Sequence, residues 1–297
     1  MEMEKGKGKI VGIGELLWDV FPEGKVLGGA PANFAYHASQ LGFEGYAVSA
    51  VGKDALGDEI LDTLSDKRLS HLVETVDYPT GTVQVTLDER GVPRYEICEG
   101  VAWDNIPFTK PMERLARNCR AVCFGSLAQR SELSRTTIKR FLELVPVNAY
   151  RIFDINLRQH YYDRGIIHDS LLRSNILKIN DEEVFALAGL FGMNDRSEQQ
   201  ICLHLMETYN LNMVIETKGA VGSYIFISGE TSYIETPRVE VVDTVGAGDS
   251  FTGAFIAALL QGKSLRDAHR LAVDISAYVC TQKGAMPLLP ALFTRNA

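Results

Sequence analysis

Short runs rich in β-branched and aromatic residues alternate along this chain with stretches of helical periodicity, and that alternation restricts the fold more than any other feature. Lys9 to Ile13, Gly45 to Val51, Ala121 to Phe124, Tyr150 to Ile155, Ile176 to Ile179 and Met213 to Thr217 read as strands. Between them Pro31 to Leu41 reads as a helix, with proline in its first turn and Gly42 just past its end. The pattern implies a sheet with crossover helices. At 297 residues, 46% hydrophobic and 23% charged, the chain is large for one domain but of a size α/β folds commonly reach as a single unit.

One segment has another texture. Gly81 to Leu87 and Pro93 to Cys98 alternate in polarity on either side of Asp88-Glu89-Arg90-Gly91, which predicts a hairpin. A hairpin with one apolar face must cover something or pair with another subunit. No repeat or linker divides the chain, and only residues 1 to 8, rich in Lys and Gly, read as disordered.

The remaining composition excludes several classes. A net charge of −8 argues against a nucleic-acid surface, which needs clustered Lys and Arg. No apolar h-region opens the sequence and no later run reaches the ~18–20 residues of a membrane span, so a cytoplasmic protein is expected. Five cysteines, scattered through apolar runs, fit reduced thiols better than a disulfide framework, and Cys119 and Cys123 read as strand and core residues. Gly262-Lys263-Ser264 ends like a phosphate loop but follows a helix, so Ser264 reads as the cap of the next helix. Gly12-x-Gly14 lacks the third glycine of a dinucleotide fingerprint.

Chemistry concentrates in Val241 to Phe251. Apolar Phe251, Ala254, Phe255, Ala258 and Leu259 fall on one helical face, so a helix begins close to Gly248. Free amides at its mouth, with Gly246, Ala247 and Gly248 allowing close approach, suit an anion. Asp249 repels an anion there unless it takes a proton from a hydroxyl that attacks the phosphate; its plainer role is a helix cap. Asn180 and Glu183 have capping-box spacing.

Asp243-Thr-Val-Gly-Ala-Gly-Asp249-Ser-Phe closely resembles the C-terminal signature of the ribokinase-like, or PfkB, sugar kinases. Gly28-Gly29-Ala30-Pro31-Ala32-Asn33, preceded by Gly14 to Asp19, is similar to that family's sugar-binding segment. Asn180-Asp181-Glu182-Glu183 resembles its Asn-x-x-Glu motif and Thr217 to Gly222 its nucleotide loop. The four motifs, in family order, span residues 12 to 285.

The resemblance implies a three-layer α/β/α domain over residues 1–297, with a mostly parallel central sheet and a small β-sheet lid inserted from about 15–30 and 80–104. It implies Asp249 as base and the amides of Gly246, Ala247 and Gly248 as anion hole. Asp19, Gly28, Gly29, Asn33 and Arg158 would bind the sugar, with Arg158 also near the transferring phosphate, and Glu96, Gln84 and Trp103 adding lid contacts. Asn180, Glu183, Thr217, Lys218, Gly219 and Gly222 would bind ATP, and Glu183 its Mg²⁺. Asp243, with carbonyls near Val245, Val279, Gln282 and Gly284, would hold a monovalent cation such as K⁺. Arg158 has a plainer reading as an ion-pair partner of Asp163. Val273 replaces an asparagine often found near adenine, which suggests apolar packing of the base.

These implications add up to an ATP-dependent sugar kinase acting on a primary hydroxyl. Fructose is the expected sugar, since the Gly-Gly-Ala-Pro-Ala-Asn form is similar to bacterial fructokinases. Ribose, 2-keto-3-deoxygluconate and a nucleoside are alternatives within the same chemistry, and a non-catalytic sensor is an alternative outside it. A homodimer through the lid is the expected assembly, with no nucleic-acid or membrane partner.

Overall fold

The computed structural model describes residues 8–22, 24–87 and 93–294. Among them the strands are β1 (Lys9–Ile13), β2 (Leu17–Phe21), β3 (Gly24–Gly28), β4 (Glu44–Gly52), β5 (Ser70–Val76), β6 (Gly81–Leu87) and β7 (Pro93–Ile97). They continue with β8 (Cys119–Phe124), β9 (Tyr150–Asp154), β10 (Ile176–Asn180), β11 (Met213–Thr217), β12 (Ser223–Ile227) and β13 (Glu230–Ile234). The helices are α1 (Ala30–Gln40), α2 (Ala55–Asp66), α3 (Lys110–Ala116), α4 (Glu132–Leu144), α5 (Arg164–Arg173), α6 (Asp181–Phe191), α7 (Glu198–Thr208), α8 (Ala247–Leu260), α9 (Leu265–Cys280) and α10 (Ala291–Thr294).

Nine strands form one sheet in the order β13-β12-β11-β10-β9-β8-β1-β4-β5. All neighbours are parallel except β11 with β12 and β12 with β13. Successive strands carry neighbouring residues into opposite layers: Ile10, Ile152 and Ile215 join one buried cluster, Val11, Phe153 and Val214 the other. That alternation makes three layers, because each face must be covered by helices. Strand order reverses between β1 and β8, so a crevice opens at the carboxyl ends of these strands, the place where open α/β sheets bind ligands.

Helix α1 packs so tightly on β1 that a Cβ at Gly12 would lie 1.8 Å from the Pro31 carbonyl oxygen. The Gly12-x-Gly14 pair is thus a packing device. Ser264 does cap α9, its Oγ accepting from the Asp267 amide at 3.1 Å. The smaller sheet has the order β3-β2-β6-β7, with β2 and β6 parallel. Its hairpin pairs Val83 with Ile97 and continues to Leu87 and Pro93; the expected turn at 88–91 lies outside the described residues. Leu17, Val83 and Ile97 join the core on one face, while on the other Trp18 Nε1 donates to the Leu56 carbonyl of α2 at 3.0 Å and Lys25 pairs with Glu59. The second segment leaves the sheet at Ile97, and Ala102–Asn105 forms a 3₁₀ turn.

All five cysteines are unpaired, and Cys119 and Cys123 lie buried in β8. Residues 1–7 of the expected disordered segment lie outside the described residues, while the Gly8 carbonyl accepts from the Glu44 amide. Among the described residues no helix is long and apolar enough to cross a membrane.

Candidate active site

The crevice gathers the ends of β1, β9, β10 and β11, the start of α1 and the mouth of α8. Helix α8 starts at Ala247 with Gly246 as its cap, in the left-handed conformation (φ 77°). A Cβ at Gly246 would stand 2.6 Å from the Ala285 side chain, so conformation and space both demand glycine. No side chain caps this end. The first amides of a helix lack intrahelical acceptors, and Ala247 satisfies its own by donating to the Thr244 carbonyl at 3.2 Å.

Asp249 sits in the first turn of α8, where Asn33 Nδ2 donates to its Oδ2 at 2.8 Å. Burial raises the Asp249 pKa above the usual carboxylate value, opposed by the Asn33 bond and by Lys178 and Arg158. Asn33 is buried in α1, and its Oδ1 has no partner within the protein. Next to it, Gly29 (φ 132°) caps α1 and could carry no side chain, since a Cβ would lie 2.5 Å from the Glu15 carbonyl oxygen. Gly28 pairs with Leu17 across β2 and β3, and a Cβ there would be 2.6 Å from Asp19 Oδ2. Gly28 thus makes room for the Asp19 carboxylate, whose pKa rises to about 6 through burial, with Arg158 lowering and Asp243 raising it.

Arg158 is exposed on the loop after β9, where Nη1 donates to the Leu157 carbonyl. Its plainer reading as a partner of Asp163 does not hold: Asp163 caps α5 by accepting from the Ile166 amide at 2.8 Å. The charge of Arg158 instead acts on Glu15, Asp19, Asp154 and Asp249.

Asn180 and Glu183 form the capping box of α6, with each backbone amide donating to the other's side chain at 2.9 Å. The second Glu183 oxygen accepts from the Leu157 amide at 2.9 Å, so one buried carboxylate fastens α6 to the loop that bears Arg158. Burial raises its pKa. With both oxygens already engaged, this carboxylate fits a magnesium ion held through water better than direct coordination.

In the loop after β11, the Lys218 amide donates to the Gly222 carbonyl, and Gly219 (φ 50°) and Gly222 (φ 154°) take glycine conformations. The Lys218 ammonium pairs with Glu198 and lies 3.9 Å from Glu216, so it is not the idle surface charge a bare turn would carry.

Asp243 is pinned at both ends: Oδ1 accepts from the Val245 amide and Oδ2 from the Gly284 amide, each at 3.0 Å. The Val279 carbonyl accepts from the Gln282 amide. Asp243, Val245 and Gly284 are thus tied together, with Val279 in the last turn of α9 and Gln282 just beyond it. Among the described residues no group of three or more His, Cys, Asp or Glu side chains could hold a metal. One carboxylate with backbone carbonyls suits a large monovalent ion better than a transition metal.

One expected contact fails. Trp103 is fully buried in the core, with the Arg130 guanidinium stacked 4.1 Å from its ring, and cannot face a sugar. Val273 is a buried, apolar residue of α9. Gln84 Nε2 donates to Thr82 Oγ1, and Glu96 is exposed.

Three groups escaped the sequence reading as site residues. Glu15, buried directly after β1, has an unpartnered Oε2, and burial lifts its pKa to about 7. Asp154 ends β9 and Lys178 lies opposite it on β10, the two pairing at 3.2 Å. The available signal was a charged residue inside an apolar strand, Ile176-Leu177-Lys178-Ile179.

A helix mouth without a side-chain cap, a carboxylate in its first turn and the Glu15 and Asp19 carboxylates close by suit phosphoryl transfer to a hydroxyl compound. The family model of the pfkB carbohydrate kinases matches residues 14–292, and the chain belongs to that family. It is 29% identical over 277 residues to an ATP-dependent 6-phosphofructokinase of Thermoanaerobacterium thermosaccharolyticum, covering 91% of this chain and 84% of that protein. It is 28% identical to a fructokinase of Salmonella typhimurium (95% and 96% covered) and 31% identical to a ribokinase of Arabidopsis thaliana (89% and 69%). A double mutant of the Vibrio cholerae O395 fructokinase, solved with fructose, ADP and a potassium ion, has the same fold: TM-score 0.81 at 22% identity, covering 98% of each chain.

Proposed function

We propose that this carbohydrate kinase transfers the γ-phosphoryl group of ATP to a primary hydroxyl of fructose. The observation that carries the choice of acceptor is the charge around Asp249: the Glu15 and Asp19 carboxylates share with it the field of Arg158, the one exposed cation acting on them among the described residues, while Asp154 is already paired with Lys178. A sugar phosphate or a ketodeoxy acid brings its own negative charge and is disfavoured there, whereas an uncharged polyol finds acceptors for its hydroxyl protons.

Asp249 takes the proton of the attacking hydroxyl, held by Asn33, whose free Oδ1 accepts from a second hydroxyl. The amides at the mouth of α8 receive the phosphoryl oxygens. ATP lies over the Thr217–Gly222 loop, with Asn180 and Glu183 toward its Mg²⁺. A potassium ion at Asp243 would fix the carbonyls next to the anion hole; it supplies positive charge and rigidity there when bound. The smaller sheet acts as a lid over the sugar and, through its unpaired edges, as the dimer contact.

The test is coupled ADP release across a panel of fructose, ribose, 2-keto-3-deoxygluconate, fructose 6-phosphate and a nucleoside, with light scattering for the assembly. Fructose is expected to give the highest kcat/KM. A clear preference for fructose 6-phosphate or for a nucleoside contradicts the assignment.

A further inference from the structure

Lys178 is a buried ammonium at the mouth of the phosphate-binding helix, and nothing in the scheme above gives it a task. It stands near the carboxyl end of β10, opposite Asp154 on β9. Its Nζ lies 3.2 Å from Asp154 Oδ1 and only 3.0 Å from where a Cβ on Gly248 would be. Gly248 thus gives the ammonium room against the second residue of α8. Asp249 and Glu183 add their negative fields and, together with Asp154, keep the lysine charged despite its burial.

A buried ion pair is a weak source of stability, because desolvating both charges offsets most of their attraction. This pair, moreover, is set where a helix mouth already favours negative charge. The lysine has three donors. Asp154 is its one ion-pair partner among the described residues, and no hydrogen bond forms between them, so the donors are left for oxygens that arrive with a ligand.

We propose that Lys178 is a catalytic residue whose ammonium binds the γ-phosphoryl oxygens during transfer, and that Asp154 positions it. The inference rests on reading residues 246–249 as the phosphate site. As the new O–P bond forms, the hydroxyl proton passes to Asp249. The P–O bond to the β-phosphate breaks, and ADP leaves with the electron pair. Lys178 stays protonated throughout and offsets the charge carried by the three equatorial oxygens.

A lysine that serves only to neutralise Asp154 makes a different prediction, and a charge-balanced pair of variants separates the two. Lys178→Met removes the cation; Lys178→Met with Asp154→Asn removes both charges and keeps the fold within reach if the single variant does not fold. Calorimetric binding of ADP and of a non-hydrolysable ATP analogue is measured alongside turnover. The double variant is expected to bind ADP within ~3-fold of wild type, to bind the ATP analogue ~10–100-fold more weakly, and to turn over ~10²–10³-fold more slowly. Near-normal turnover in the double variant, or equal loss of affinity for the two nucleotides, overturns the assignment. Asp249→Asn run in parallel separates the two levels of inference. If it also turns over normally, the phosphate-site reading fails; if it alone is inactive, only the role of Lys178 fails.

Discussion

Asn33 Nδ2 and Asp249 Oδ2 meet at 2.8 Å, joining α1 to α8 across 216 positions of sequence. The bond links the segment assigned to sugar binding with the residue assigned as base. Asn33→Ala removes a donor to the ionised carboxylate, so the Asp249 pKa rises further. Since the base works ionised, the acid limb of kcat/KM is expected to move to higher pH, with a ~10–100-fold loss at neutral pH and little change in KM for ATP. A pH–rate profile checks this; an unmoved limb separates Asn33 from the base.

Glu15 offers a test of the buried carboxylates through stability. Its folded pKa of about 7 lies above the ordinary glutamate value of 4.5, so the folded state holds the proton more tightly than the unfolded chain. The resulting stabilisation is complete below about pH 4.5 and is lost as pH rises through about 7. Glu15→Gln escapes the loss, which over that range amounts to about 3 kcal/mol. Its Tm is expected to match wild type at pH 4.5 and to exceed it by several degrees at pH 8. Equal pH dependence in the two proteins shows that Glu15 ionises freely.

Glu183 has two duties that one substitution can separate. Glu183→Gln turns one of its accepting oxygens into a donor facing a backbone amide, at a cost of about 1–3 kcal/mol. A fall in Tm is expected, together with an increase in the Mg²⁺ concentration needed for half-maximal turnover. If Tm falls while the Mg²⁺ requirement holds, Glu183 is a cap and loop anchor alone.

The pinned Asp243 predicts ion specificity. Turnover is expected to rise with K⁺ and to rise less with Na⁺ at the same ionic strength, because the larger ion spans several carbonyls with less strain. Equal rates in K⁺, Na⁺ and a bulky organic cation remove the ion from the mechanism, since general screening depends on ionic strength alone.

What the sequence revealed was local. The β1, β10 and β11 strands, the Asn180–Glu183 capping box and the start of α8 follow from neighbours within a few residues, and the structure places them within two residues of expectation. Lys178, Asp154 and Glu15 were not legible as a cluster, because their meeting depends on the register of β9 against β10 and on the place of β1 in the sheet. Trp103 misled for a related reason. It follows the lid strands in sequence, but the chain has already turned back into the core. The charge of Lys218 could be read, but its partner Glu198, on α7, could not.

The central claim, phosphoryl transfer with Asp249 as base, is tested most directly by Asp249→Asn assayed with ATP and fructose. The amide keeps the size of the side chain and can still bond Asn33, so fold and ATP affinity are expected to stay near wild type. Turnover is expected to fall by the ~10²–10⁴-fold typical of a lost general base. A variant that binds ATP normally and phosphorylates fructose at close to the wild-type rate would contradict the account.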